Sequence, residues 1–173
     1  MKRTKVSIAA AALLAVACTG LLTRRAKAQD GLEDHNAIVG SWRVQVDVTN
    51  PPGMPSFPVL ITFHSDGTVI ESRLGFIPQG PAGPIVEGAG HGAWQRLGNQ
   101  IAASFQMLLQ GAPGNTILNG AFWATEKINC RPVLGPDSNS FKANWNGTLV
   151  DPSGNVILQG AGTMSAVRIQ VEP

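Results

Sequence analysis

In GSWRVQVDV, residues 40–48, the apolar side chains Trp42, Val44, Val46 and Val48 alternate with the polar Arg43, Gln45 and Asp47. A period of two with β-branched residues on one face is the pattern of a strand buried on one side. The stretch begins with a glycine, and one residue later comes a large indole. A glycine there gives the chain a flexible entry, and the indole then stands at the very start of the strand.

The same pattern recurs along the chain. Alternating runs cover residues 58–64 and 68–74 on either side of SDG, whose Asp66-Gly67 pair is a tight-turn signal because both residues tolerate positive φ. Runs at 90–97 and 100–110 flank Gly98-Asn99, and runs at 140–151 and 154–170 flank DPSG. Residues 116–130 read as one long strand or a bent pair. Helical periodicity is almost absent after residue 29. About eight strands joined in sequence by short turns predict an all-β fold, an antiparallel up-and-down eight-stranded barrel, in which closure removes exposed edges. A β-sandwich is the alternative. Gly120, Gly147, Gly160 and Gly162 lie within the runs, where bending needs backbone freedom. Residues 75–90, GFIPQGPAGPIVEGAG, carry five glycines and three prolines and read as a long loop, either a lid or a surface excursion.

Residues 1–28 are expected to stand apart from this domain. Lys2, Arg3 and Lys5 precede the apolar or small residues 6–22, and Ala26-x-Ala28 offers a signal-peptidase site. The expected organisation is a signal peptide at 1–28, a linker at 29–39 and the barrel at 40–173, in a periplasmic or secreted protein. Two rival readings stay open. The apolar run is near the lower length limit for a membrane anchor, and Cys18 after LAVA loosely matches a lipobox that would tether the chain to a membrane surface. Six of the thirteen Lys and Arg residues, and none of the eleven acids, lie in residues 1–28; from residue 29 onward seven basic and eleven acidic residues leave a net charge of −4. That acidic balance argues against nucleic acid as a partner. Only Cys130 then remains, so an intrachain disulfide is excluded and the domain relies on its core.

Gly40-Ser41-Trp42 resembles the Gly-x-Trp entry of lipocalins and related calycin barrels, and Arg168 stands in GTMSAVRI near the end of the chain. The resemblance implies that Trp42 closes one end of the barrel and that Arg168 packs across its ring. TFHSDGTVIES, GHGAWQRLGNQIAASF and DPSGNVILQGAGTMSAVRI also resemble segments of uncharacterised exported bacterial proteins. The chain departs from the central lipocalins in lacking their second and third sequence motifs and a disulfide pair, so the resemblance is to a lipocalin-like barrel.

No complete catalytic signature is present, and the spacing of His35, His64 and His91 suggests no metal site; neither catalytic residues, metal nor cofactor are expected. In TVIESR, Glu71 and Arg73 share one face, read as an outward solvated pair. On the inward alternative, Glu71 becomes an acid or base with a raised pKa. Ile101, Ala103, Phe105, Met107 and Leu109 form an apolar face; Leu118, Gly120, Phe122, Ala124 and Glu126 fit an apolar inner face, and Val156, Leu158, Gly160, Gly162, Met164 and Ala166 form a small-to-medium apolar face. The small residues of the last set leave volume inside. A roomy apolar interior is the character of a small-molecule pocket. The expected function is therefore a non-enzymatic binding barrel for a hydrophobic ligand, held by Phe76, Ile77, Ile85, Trp94, Phe105, Met107, Phe122 and Met164. A barrel isomerase or cyclase, and a filled barrel acting as a structural partner, are the alternatives. An ionisable side chain pointing inward separates the first of these from simple binding.

Overall fold

A computed structural model describes residues 36–80, 82–98 and 100–172. The proposed signal segment and most of the linker lie outside them. After a 3-10 turn at Asn36–Ile38 come ten strands: β1 Gly40–Asn50, β2 Phe57–Phe63, β3 Thr68–Arg73, β4 Phe76–Gly80, β5 Gly83–Glu87, β6 Gly90–Leu97, β7 Gln100–Gly111, β8 Phe122–Leu134, β9 Ser140–Val150 and β10 Val156–Arg168. The order β7-β6-β3-β2-β1-β10-β9-β8, with β8 pairing back onto β7, closes an eight-stranded antiparallel barrel. The described residues thus form an all-β fold, with the architecture the alternating runs predict.

The register fixes two ends. Trp42 lies opposite both Ile61 and Arg168, so the start of β1, the β2–β3 turn and the end of β10 share one end. The β1–β2, β7–β8 and β9–β10 connections belong to the other, here called the mouth. Turn chemistry is as read from the sequence at two hairpins. Asp66 Oδ1 accepts from Thr68 N and Oγ1 at 2.9 and 2.7 Å, and Asp151 Oδ1 accepts from Ser153 N and Asn155 N at 2.9 and 2.8 Å, with Gly67 and Gly154 at φ +87° and +89°.

Two segments differ from the sequence reading. Residues 75–90 are largely a hairpin, in which Phe76 pairs with Val86 and Ile77 with Ile85. Its second strand continues onto β7: Ile85, Val86 and Glu87 face Gly111, Gln110 and Leu109, beyond the part of β7 that pairs with β6. The prolines and glycines suggested a loop, but the apolar pairs Phe76/Val86 and Ile77/Ile85 zip it. Residues 116–121, expected in a strand, form a turn instead. The buried Asn115 organises it: its Oδ1 accepts from Ile117 N and Leu118 N, while its Nδ2 donates to Ala82 O and Pro84 O at 2.9 and 2.6 Å. One amide side chain therefore fastens the hairpin to the β7–β8 connection.

Candidate functional site in the barrel interior

At the closed end, Trp42 is fully buried and its Nε1 donates to Ile38 O at 2.9 Å. The Arg168 guanidinium lies 4.2 Å from the Trp42 ring centroid and donates to Val39 O at 2.7 Å and Ser138 O at 2.9 Å. Gly40 has φ +132°, and a Cβ there would stand 2.6 Å from Arg168 Nη1. The glycine is needed because the guanidinium occupies that space. Phe141 meets Trp42 edge-on at 5.0 Å, Phe63 meets Phe141 at 6.3 Å, and Trp94 meets Phe63 at 6.1 Å. Trp94, expected beside a ligand, thus belongs to the closed end, where its Nε1 donates to His64 O at 2.8 Å.

Toward the mouth the interior changes character. Val69, Glu71 and Arg73 point inward from β3, while Thr68, Ile70 and Ser72 face out. The outward reading of Glu71 and Arg73 is therefore corrected: Glu71 is 2% exposed and Arg73 13%. Arg73 is the hub of a charge cluster. Its Nη2 donates to Glu126 Oε2 at 2.8 Å and lies 2.7 Å from Met107 Sδ, and its Nε is 3.4 Å from Glu71 Oε1 and from Glu87 Oε2. The Phe57 ring lies 5.6 Å from its guanidinium carbon. Three strands, β3, β5 and β8, bring three carboxylates to one cation.

The electrostatics follow from burial and this charge ratio. Burial pushes the Glu71 carboxyl up to about 7; Arg73 opposes that, and Glu126 and Glu87 add to it. Burial also raises Glu87, against the pull of Arg73. For Arg73 burial favours the neutral form, but the three carboxylates together outweigh it and hold the guanidinium charged. Glu71 Oε2 and Arg73 Nε are buried without a hydrogen-bond partner. Gly90 makes room beside Glu71, since a Cβ there would stand 3.1 Å from Glu71 Oε2 and from the Phe105 ring.

β9 lies across the barrel from β3, with three strands between them in either direction. From it Trp145 covers glycines of its own strand and of the neighbouring β10: a Cβ at Gly147, Gly160 or Gly162 would come within 3.2, 3.3 or 2.7 Å of its ring system. The volume left by the small residues of β10 is therefore taken by the Trp145 indole. Its Nε1 is the third buried polar atom without a hydrogen-bond partner among the described residues.

The remaining expected ligand residues are dispersed. Phe105, Met107 and Met164 are buried in the core, Ile85 is buried in the β4–β5 hairpin and Ile77 is half-buried against it. Phe76 and Phe122 are exposed, at the first residue of β4 and of β8, and the start of β10, Val156 and Leu158, is exposed as well. A recess of about 710 Å³ has the exposed Ser104, Asn129 and Asn146 in its lining, joined by hydrogen bonds across β7, β8 and β9 on the outer wall. Among the described residues no group of His, Cys, Asp and Glu has the arrangement of a metal site, and no helix is long and apolar enough to cross a membrane. Burial pushes the Cys130 thiol up to about 12, which leaves it unreactive as a nucleophile.

Sequence reasoning missed Glu87, Trp145 and Asn115. Glu87 is the one charged residue in 75–90, a signal that was available; Trp145 opposite a run of glycines was another. No protein-family model, curated protein or solved structure matches the chain.

Proposed function

We propose that this protein is an exported binding barrel for a small, largely hydrophobic molecule that also carries polar atoms. The observation that carries the reading is a pair of buried polar atoms without a partner, Glu71 Oε2 and Trp145 Nε1, in a barrel interior that also holds the Arg73 charge cluster. Buried polar groups are normally hydrogen-bonded, and leaving one unpaired costs about 1–3 kcal/mol. A purely structural core would gain by replacing them with apolar side chains. A ligand whose body lies against Phe57, Met107 and Leu149 on the mouth side, and whose polar atoms reach Glu71, accounts for the retention of the orphan carboxylate oxygen. The charge and small-residue pattern of residues 1–28 supports a site of action outside the cytoplasm.

Native mass spectrometry of protein purified from its own source tests the reading. A ligand-sized mass increment that is lost on denaturation is expected. A bare chain mass, together with no binding of a fluorescent hydrophobic probe, removes it.

One observation favours a second reading, acid–base catalysis on the bound molecule. Glu71 is an inward carboxyl poised to titrate near neutrality, the condition for a general acid or base at physiological pH. Incubating the loaded protein in deuterated water separates the two. Deuterium incorporation into the ligand that disappears in Glu71→Gln makes the protein an enzyme, and a ligand recovered unlabelled leaves it a carrier.

A further inference from the structure

We infer that the molecule bound in the barrel is an organic cation, with an apolar body and an amine head that sits against Glu71 beside the Arg73 cluster. The inference rests on the binding-barrel reading and specifies its ligand.

The argument starts from the charge ratio. One guanidinium faces Glu71 from its own strand, Glu87 from β5 and Glu126 from β8. The groups that β6 and β7 bring up against Glu71 and Arg73, namely Gly90, Phe105 and Met107, do not titrate. The cluster therefore has an excess of carboxylate over cation in a layer that is mostly buried, where each unmatched charge is expensive. Protonation of Glu71 is the chain's own relief for that excess. A ligand cation supplies the missing positive charge directly.

The same ratio argues against an anion. A single buried arginine in an apolar barrel would suit a carboxylate ligand, but Arg73 already meets three carboxylates, and a fourth would enter a negative field. The orphan acceptor is also on the correct group. Glu71 is 2% exposed, its Oε1 faces Arg73, and its Oε2 has no hydrogen-bond partner, the carboxyl lying close against Gly90 and the Phe105 ring. Ammonium is a pure donor and matches a bare carboxylate oxygen. Phe57 beside the cluster and Trp145 on the opposite wall provide aromatic surface of the kind that stabilises organic cations.

Three ligands with one tail and different heads test this on the full-length chain by isothermal titration calorimetry: dodecylamine, dodecanol and dodecanoate. Dodecylamine is expected to bind at least about tenfold more tightly than dodecanol, with dodecanoate weakest. Near pH 6.5 amine binding should release protons to the buffer, because the incoming charge favours ionised Glu71. Glu126→Gln, at the most solvent-exposed of the three carboxylates, should narrow the ratio of amine to alcohol affinity; Glu87→Gln serves as a second variant should the first fail to fold. Equal binding of amine and alcohol overturns the inference and leaves the binding barrel standing. Failure of all three to bind overturns the binding barrel itself. Displacement of the amine by calcium or sodium chloride as effectively as by a second amine would assign the site to an inorganic cation and also overturn the inference.

Discussion

The two ends of the barrel use the same ingredients, an arginine, aromatic rings and buried polar atoms, to opposite effect. At the closed end polar groups have been matched: Trp42 Nε1 to Ile38 O, Trp94 Nε1 to His64 O, and Arg168 to the carbonyls of Val39 and Ser138. Toward the mouth, Arg73 meets three carboxylates and Glu71 Oε2 lacks a hydrogen-bond partner, as does Trp145 Nε1 at the middle of β9. Neutral carbonyls satisfy an arginine without introducing charge that must itself be neutralised; carboxylates in excess leave the layer dependent on protons or on something bound. One end is built to hold the fold, and the other keeps polar capacity at a cost in stability.

The largest effect that separates the ends is expected from Trp42→Ala. Loss of a fully buried indole should destabilise the barrel by about 3–5 kcal/mol, read from denaturant melts, with little dependence on pH between 5 and 8. A loss under about 1 kcal/mol would mean that Trp42 does not close the barrel. Arg73→Met should cost about 3 kcal/mol at pH 8, where it strands three carboxylates around an uncharged side chain. Unlike the first variant, it should recover much of that loss at pH 5 as the carboxylates take up protons. A pH-independent loss would show that packing against Phe57 and Met107, and not charge, is what Arg73 contributes.

The smallest effect is a slope. Glu71 rises from its usual 4.5 to about 7 in the folded chain. Between those values the folded state holds a proton that the unfolded state has released, so stability falls as pH rises through the window and levels off above it. For this one group the decline approaches about 1 kcal/mol per pH unit, and Glu87, raised in the same direction, adds to it. Glu71→Gln should flatten the curve over that range. An unchanged slope would show that Glu71 ionises normally and that the mouth is better solvated than its burial implies.

What could be read from the sequence divides along the same line. The closed end is written locally: Gly40 and Trp42 are two residues apart, and the alternation through Val44, Val46 and Val48 sets which face is inside. Arg168 is far away in sequence, but its position near the end of the last strand makes it a neighbour of the first once the barrel closes. The mouth is written non-locally. In TVIESR the alternation sets Ile70 against Glu71 and Arg73, so hydrophobicity favours Ile70 as the inward residue; in fact Ile70 is 38% exposed and Glu71 is buried. What reverses that preference is a set of partners, Glu87 on a hairpin and Glu126 on β8, three strands from β3 around the wall, that no window over residues 68–73 contains. The hairpin at 76–87 was hidden for a related reason. Its strands are short and rich in glycine and proline, and they are held by Asn115 and by the far half of β7.

That hairpin also settles how the chain handles its one loose seam. Among the described residues every barrel strand is flanked on both sides, and β4 alone has a single neighbour. A strand with an open side is a template on which another copy of the chain could grow. Here the template spans only Phe76–Gly80, and Pro78 in its middle has no N–H to offer. A closed cylinder would have no such seam, and extending β7 past the rim creates one. The proline that made this segment look like a loop is what keeps its outer edge from being copied.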